Sequence, residues 1–178
     1  MTAIPADLQT LFEQPEPLEE SFGRLMEHYG RAIGADRCLL FLYQPVAKLA
    51  RCTHQWVARP EWAFNRPDAG WAPMDQDQVA SDDPMFAMAL INPEALYIDD
   101  IEKADSALVN APYEIENFQH RGLVHAPLME NGVLWGILEP CVIAGPRAWT
   151  QDDRAITAWV QERLTPLAIR YIRANCPA

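Results

Sequence analysis

Hydrophobic positions spaced three or four residues apart predict an amphipathic helix near the start of the chain. The apolar residues of segment 18–33 follow this spacing, and Glu19 and Glu20 lie in its first turn, where negative charge suits the helix dipole. Gly34 follows the last apolar position and predicts a left-handed helix end. Residues 1–17 are polar and contain two closely spaced prolines, so we expect a flexible N-terminal arm there.

A second amphipathic helix is predicted at the C-terminal end of the chain. Thr150 can cap it, and acidic residues occupy its first turn. Its apolar stripe continues from Ile156 to Tyr171. Pro166 lies inside this pattern and removes one backbone hydrogen bond, so the pattern predicts a kink or an early end at that point.

The region before the second helix has the pattern of a β-hairpin. Two apolar runs, 123–129 and 133–143, are separated by Asn131 and Gly132. Asn-Gly is the strongest short signal for a type I′ turn, because both of its central residues need a positive φ.

A second pair of strands is predicted over 37–43 and 48–58. On the returning strand, Cys52, His54 and Trp56 alternate with polar residues, so simple alternation places these three side chains on one face.

The middle of the chain predicts loops and short elements. Residues 59–82 are rich in proline and aromatic residues and are expected to form one long loop. Short helices are predicted over 83–91 and 112–120, with a short strand at 96–98. The whole pattern predicts an α+β fold with an antiparallel sheet.

Charge and cysteine content narrow the classes of function. The chain has 178 residues and a net charge of −11, with only 14 Lys and Arg, which disfavours nucleic acid and anionic membranes as partners. No apolar segment reaches the ~20 residues of a membrane span, and the N-terminus lacks the pattern of a signal peptide, so we expect a cytoplasmic protein. The cysteines are widely spaced, which predicts reduced thiols and no metal site. They are Cys38, Cys52, Cys141 and Cys176.

Several segments resemble the GAF domain, a small sensory module of bacterial signalling proteins. Segment 34–43 looks like the passage from the first helix into the first strand of that family, and 97–101 is similar to its mid-domain aspartate motif. Segments 134–138 (Leu-Trp-Gly-Ile-Leu) and 145–150 are especially similar to the GAF domains of cyanobacterial bilin photoreceptors.

The resemblance implies a single GAF-like domain over 18–178. Its expected fold is a central antiparallel sheet with the N- and C-terminal helices on one face. Loops and short helices are expected over a cavity on the other face. Bilin photoreceptors attach their pigment to a cysteine in the middle of the domain, but no cysteine lies between Cys52 and Cys141. Cys141 also occupies the position of their pigment-packing histidine, so a covalent bilin is not expected, and we predict no cofactor.

The resemblance also suggests which residues face a ligand. Glu139 shares the strand face of Cys141, so it is either a ligand anchor or a structural partner of Arg121 or Arg147. The loop tryptophans and Phe64 either form an aromatic lid or only cover the sheet. The predicted pocket residues are Trp56, Trp62, Trp71, Tyr97, Asp100, Glu139 and Cys141. We predict no catalytic residues.

These observations favour a stand-alone, non-enzymatic GAF-domain module of bacterial signalling, and the resemblance to bilin photoreceptors suggests a cyanobacterial source. The module is expected to bind a small molecule or a protein partner and to form a homodimer through its terminal helices. One alternative is a thiol-based redox sensor or reductase-like enzyme that uses Cys38, Cys52 or Cys141. A further alternative is a protein that binds a bilin without a covalent bond.

Overall fold

The computed structural model describes residues 2–13, 17–64 and 70–177. The helices are α1 (Ala6–Glu13), α2 (Leu18–Ala32), α3 (Gln76–Asp82), α4 (Pro84–Ala89), α5 (Ala111–Phe118) and α6 (Gln151–Asn175). The strands are β1 (Arg37–Gln44), β2 (Leu49–Val57), β3 (Ala72–Pro73), β4 (Leu96–Ile98), β5 (Gly122–Glu130) and β6 (Val133–Val142). Single 3₁₀ turns lie at Pro60–Trp62 and Ile101–Lys103.

The strands form one antiparallel sheet in the order β3-β2-β1-β6-β5-β4. Helices α1, α2 and α6 pack with the largest hydrophobic core on one face, which we call the helix side. Helices α3 and α4 contribute to smaller clusters on the opposite face, the loop side. This arrangement confirms the predicted α+β class and the GAF-like layering.

The hairpin between β5 and β6 forms as the sequence predicts. Asn131 and Gly132 have φ values of 53° and 75°, as a type I′ turn requires. Gly136 of the Leu-Trp-Gly segment lies against β1, where an added Cβ would come 2.5 Å from the carbonyl oxygen of Phe41. Glycine is therefore needed for the two central strands to approach.

A β-bulge changes the predicted faces of β2. The pairing passes from Leu40 with His54 to Phe41 with Cys52, which leaves Thr53 as an extra residue. Cys52 and His54 consequently face opposite sides of the sheet, so the prediction that they share a face is wrong. Strict alternation holds only in a regular strand.

The N-terminal segment contains a packed helix where the sequence predicted a flexible arm. Leu8 and Leu11 of α1 are buried, and the ring of Phe12 meets Trp159 edge to face at 5.2 Å. These three apolar residues have helical spacing, which explains why the segment folds against the core. Asp7 adds a 2.6 Å contact between its carboxylate and Nδ1 of His28. Residues 14–16 of the expected arm lie outside the described residues.

The C-terminal helix is longer than its proline suggested. Thr150 and Asp153 form the capping box that starts α6, and the helix continues through Pro166 to Asn175. Leu164 and Ala168 on either side of the proline are fully buried, so core packing outweighs the lost backbone hydrogen bond.

The expected loop over 59–82 also contains regular structure. Asp75 caps α3 by accepting hydrogen bonds from the backbone N–H groups of Asp77 and Gln78. Residues 65–69 of this segment lie outside the described residues. Across the described ranges, none of the helices has the length and apolar character that crossing a membrane requires.

Candidate functional site

A cavity of about 770 Å³ lies on the loop side of the sheet, between β1, β2, β5 and the helices α3, α4 and α5. Its volume falls within the range of small-molecule sites in proteins. Aromatic side chains form much of its wall, namely Phe41, Tyr43, Phe64, Phe86, Tyr113 and Phe118. Charged and polar lining residues include Arg51, Gln55, Asp83 and His125.

The aromatic wall is held together by ring contacts. Phe64 stacks on Phe118 with ring centroids 5.1 Å apart and an interplanar angle of 17°. Phe41 meets both rings edge to face. The backbone of Phe64 is fixed from the sheet, because the Gln55 amide bonds both its N–H and its carbonyl group. The wall is therefore a built surface, suited to a flat apolar group.

His125 supplies a polar group in this wall. It lies on β5 and is only 5% exposed. Its Nδ1 donates to Oε2 of Glu139 on β6 at 3.0 Å. Its Nε2 is buried and has no hydrogen-bond partner among the described residues. A buried donor without a partner costs free energy, and because His125 also lines the cavity, it is a candidate anchor for a ligand there.

Behind His125, two carboxylates and two imidazoles alternate through the protein. Oε1 of Glu139 lies 3.7 Å from Nε2 of His120, beyond hydrogen-bond reach but within ion-pair distance. Nδ1 of His120 lies 2.7 Å from Oε2 of Glu114 on α5. We call Glu114, His120, Glu139 and His125 the buried polar chain. It links α5 to the cavity.

The environment of the buried polar chain shifts its proton equilibria. Burial raises the pKa of Glu114 to about 9, and the negative charge of Glu139 and Asp83 adds to the shift. Burial also opposes the charged forms of His125 and Glu139. Their mutual hydrogen bond outweighs it, so the pKa of His125 is raised and that of Glu139 is lowered. At neutral pH the buried polar chain therefore holds a neutral Glu114 and an ionised Glu139, and Glu139 favours the protonated form of His125.

Two further charged residues flank the buried polar chain. Arg37 on β1 is 2% exposed, and its guanidinium donates to the carbonyl oxygens of Trp62 and Phe118. Asp83 caps α4, where one carboxylate oxygen accepts from the N–H groups of Met85 and Phe86. Burial raises the pKa of Asp83, although the nearby His125 opposes that rise.

The structure places Glu139 and Cys141 on the loop side but beneath the cavity wall. Glu139 pairs with His125 rather than with either arginine that the sequence suggested, and those arginines bind Glu102 and Asp153 instead. Cys141 is fully buried in a small apolar cluster with Leu123.

The three predicted pocket tryptophans do not line the cavity. Trp56 packs on the helix side, where its ring would meet a Cβ added at Gly30 at 2.5 Å. Trp62 offers its carbonyl oxygen to Arg37, and the Nε1 of Trp71 donates to the carbonyl of Asn175 at 3.1 Å. Phe64 was predicted, together with these tryptophans, as part of a possible aromatic lid, and it does line the cavity.

Tyr97 and Asp100 lie outside the cavity wall as well. Tyr97 packs under the guanidinium of Arg154, 4.0 Å from its ring centroid. Asp100 caps the 3₁₀ turn by accepting from the N–H of Glu102 and pairs with Lys103 at 2.9 Å. Asp99, the neighbouring aspartate in the same motif, has a structural role, because its carboxylate accepts a hydrogen bond from the N–H of Trp149.

The predicted site residues do not include His125, His120 or Glu114. A signal for His125 was present: in a hairpin with a two-residue turn, it lies close to Glu139 across the two strands. The bulge before Gly136 then sets the pairing of Ala126 with Leu138, which brings the two side chains together. His120 and Glu114 could not be predicted as site residues, because their positions depend on how α5 packs against the sheet. In the part of the chain that the structure describes, no cluster of His, Cys, Asp and Glu could hold a metal ion.

Comparison with known proteins identifies the fold family. The family profile of the GAF domain matches residues 17–159. The chain belongs to the GAF domain family. No curated protein sequence matches it.

Solved structures of other GAF domains share this fold at low sequence identity. The phycocyanobilin-bound GAF domain of a cyanobacterial phytochrome is 13% identical, with 98% of this chain and 100% of that one covered and a TM-score of 0.69. The GAF domain of an Acinetobacter phosphoenolpyruvate-protein phosphotransferase is 11% identical, with 94% and 93% covered and a TM-score of 0.67.

The chromophore-binding domain of Stigmatella aurantiaca phytochrome P1 is 18% identical to this GAF domain, with a TM-score of 0.66. The alignment covers 90% of this chain and 57% of the phytochrome chain, so this GAF domain spans little more than half of that structure. At these identities, the likeness establishes the fold alone.

Proposed function

We propose that this GAF domain is a non-enzymatic regulatory module that binds a small molecule in the loop-side cavity. The observation that carries the proposal is the combination of an aromatic wall with the unpartnered Nε2 of His125. Apolar pockets with a few placed polar groups are the usual form of a small-molecule site. We also propose that the protein is a cytoplasmic homodimer joined through its terminal helices, and that its output is contact with a signalling protein.

The residues around the cavity support a ligand that is held without a covalent bond. One related structure is described as phycocyanobilin-bound, so the fold can hold a large planar molecule. In this chain no cysteine lies between Cys52 and Cys141, and Cys141 is fully buried away from the cavity. We therefore propose that no bilin is linked through a thioether at the position that bilin photoreceptors use, and that the cavity ligand is held without a covalent bond.

The thiol-based alternative receives less support from the environment of the cysteines. Burial raises the pKa of Cys38, which lies 3.7 Å from the sulfur of Met26, and a raised pKa disfavours the reactive thiolate. Cys52 does line the cavity. Loss of a redox response in Cys52→Ser would support the alternative, whereas an unchanged response in each single Cys→Ser variant would exclude it.

Native mass spectrometry of protein purified from its own host tests the proposal. Val79 of α3 lines the cavity, so Val79→Trp is designed to fill it. Ile91→Trp adds the same side chain at a position that is 83% exposed and serves as the matched control. We expect a stoichiometric small ligand on the wild-type protein and on Ile91→Trp, and its loss from Val79→Trp.

Comparison of native and denaturing spectra separates the possible outcomes. A mass increment present only under native conditions supports a non-covalent ligand. An increment that survives denaturation contradicts the absence of a covalent cofactor. A wild-type protein with no increment in either spectrum contradicts ligand binding and leaves protein contact as the function.

A further inference from the structure

We propose that the cavity selects a flat aromatic ligand that carries a carboxylate or a similar anionic oxygen, and that this oxygen accepts a hydrogen bond from Nε2 of His125. The proposal rests on the proposed function of the cavity and names the chemical class of its ligand.

The first step is the fixed orientation of His125. Because its Nδ1 donates to Glu139 at 3.0 Å, the imidazole ring is held in one orientation within the cavity wall. The Nε2 of the ring is buried and has no partner among the described residues. When the ring is protonated, both nitrogens are donors, so the vacant position requires an acceptor.

The second step is the charge around His125. Glu139 on β6 favours the charged form of the ring and raises its pKa, although burial opposes that charge, and Arg37 on β1 adds a buried guanidinium nearby. Glu114 on α5 is neutral at neutral pH, because burial raises its pKa to about 9. Asp83 at the start of α4 is the opposing charge, and its carboxylate already caps the helix.

The remaining polar group of the buried polar chain is His120, which lies between Glu114 and Glu139. Charge-assisted hydrogen bonds from an imidazolium favour an anionic acceptor over a neutral one. An ionised ligand oxygen is therefore the best complement to the donor that the cavity presents.

The third step is the apolar part of the ligand. The rings of Phe41, Phe64 and Phe118 form one continuous packed group in the cavity wall that also contains His125. Because Phe118 is already stacked on both Phe64 and His120, a fused ring system would make its ring contacts with Phe41, Phe64 or the edge of Phe118. The cavity of about 770 Å³ has room for a ring system larger than one benzene ring.

Isothermal titration calorimetry with three matched probes tests the proposal. The probes are 2-naphthoate, its neutral amide 2-naphthamide and the cationic 2-naphthylmethylamine. At pH 6 we expect naphthoate to bind roughly 10-fold or more tightly than the amide, as one charge-assisted hydrogen bond gives. The affinity for naphthoate should fall as the pH rises through the raised pKa of His125, while that for the amide stays constant.

Two variants separate direct binding from positioning. In His125→Gln the preference for naphthoate over the amide should be lost. In Glu139→Gln His125 remains, but its pKa should fall without the carboxylate, so the decline in naphthoate affinity should move to lower pH. His28→Gln, far from the cavity wall, is the control and should bind like the wild type.

The probe series distinguishes failure of this inference from failure of the proposed function. Equal binding of naphthoate and naphthamide, with both lost in Val79→Trp, overturns anion selection but keeps the cavity as a ligand site. Preference for the amine also overturns it. Binding of none of the probes overturns the inference, and the native mass spectra then decide separately on the proposed function. If His125→Gln fails to fold, the pH dependence of the wild type for the acid and the amide still decides.

Discussion

Glu114→Gln is expected to stabilise the protein at neutral pH, although Glu114 contacts His120 at 2.7 Å. The side chain is buried, and its pKa is raised from 4.5 to about 9. The folded protein must therefore hold a proton on this carboxyl at a pH at which the unfolded chain has released it. Glutamine is neutral at every pH and has nearly the same shape, so it removes this requirement.

The magnitude follows from the difference between the two pKa values. Stability contributed by the protonated group is fully present below about pH 4.5 and is lost as the pH rises toward about 9. Each pH unit in this window costs about 1.4 kcal/mol of the free energy of unfolding. At pH 7 the accumulated loss is roughly 3 kcal/mol, and Glu114→Gln should recover a large part of it.

Urea denaturation at pH 5, 7 and 8.5 measures this effect. The free energy of unfolding that Glu114→Gln gains over the wild type should be small at pH 5 and increase with pH. Glu116→Gln, an exposed position on the same helix, is the control and should show no such trend. If Glu114→Gln instead destabilises the protein by about 3 kcal/mol or more at pH 7, Glu114 is an ionised partner of His120, and the reasoning is refuted.

Three further predictions concern the fold and the assembly. Gly136→Ala should destabilise the protein by about 2 kcal/mol or more in urea denaturation, because its Cβ would meet a β1 carbonyl oxygen at 2.5 Å. Leu8→Ala should cost about 2–5 kcal/mol in the same assay, because Leu8 is fully buried. Light scattering after size exclusion should give twice the 20.1 kDa chain mass, and Leu167→Glu on α6 should halve it.

Each of these predictions has a control or a contradicting result. Gly145→Ala, where an added Cβ would meet nothing within 4 Å, should be nearly neutral, and an equal effect at both glycines would contradict the close-approach argument. Gln9→Ala on the exposed face of α1 should also be neutral. A loss of less than about 0.5 kcal/mol in the free energy of unfolding of Leu8→Ala would contradict the packed helix and support a flexible arm. A wild-type mass of one chain would contradict the homodimer.

Local sequence signals were sufficient for the elements whose geometry is set within a few residues. The Asn131–Gly132 turn fixed the hairpin, and Thr150 fixed the start of α6, because each signal acts through its own backbone neighbours. The flexible-arm prediction failed for α1 because its short apolar stripe becomes helical only when it packs on α2 and α6.

The contacts of the buried polar chain could not be predicted from local sequence signals, for a different reason. Glu114, His120, His125 and Glu139 come from α5, the segment after it, β5 and β6, and their contacts depend on tertiary packing. Strand parity placed Glu139 on the same face as Cys141, and the resemblance to GAF domains assigned that face to the loop side. Neither revealed the partner, because the β-bulge that sets the final register gives no clear signal in one sequence.

A crystal structure of the protein purified from its own host, without added ligand, provides the most direct measurement. We predict continuous electron density for a planar molecule against Phe64 and Phe118, with one of its oxygen atoms about 2.7–3.2 Å from Nε2 of His125. A cavity filled by the protein's own side chains, with Nε2 of His125 bonded to one of them, would contradict a ligand site there.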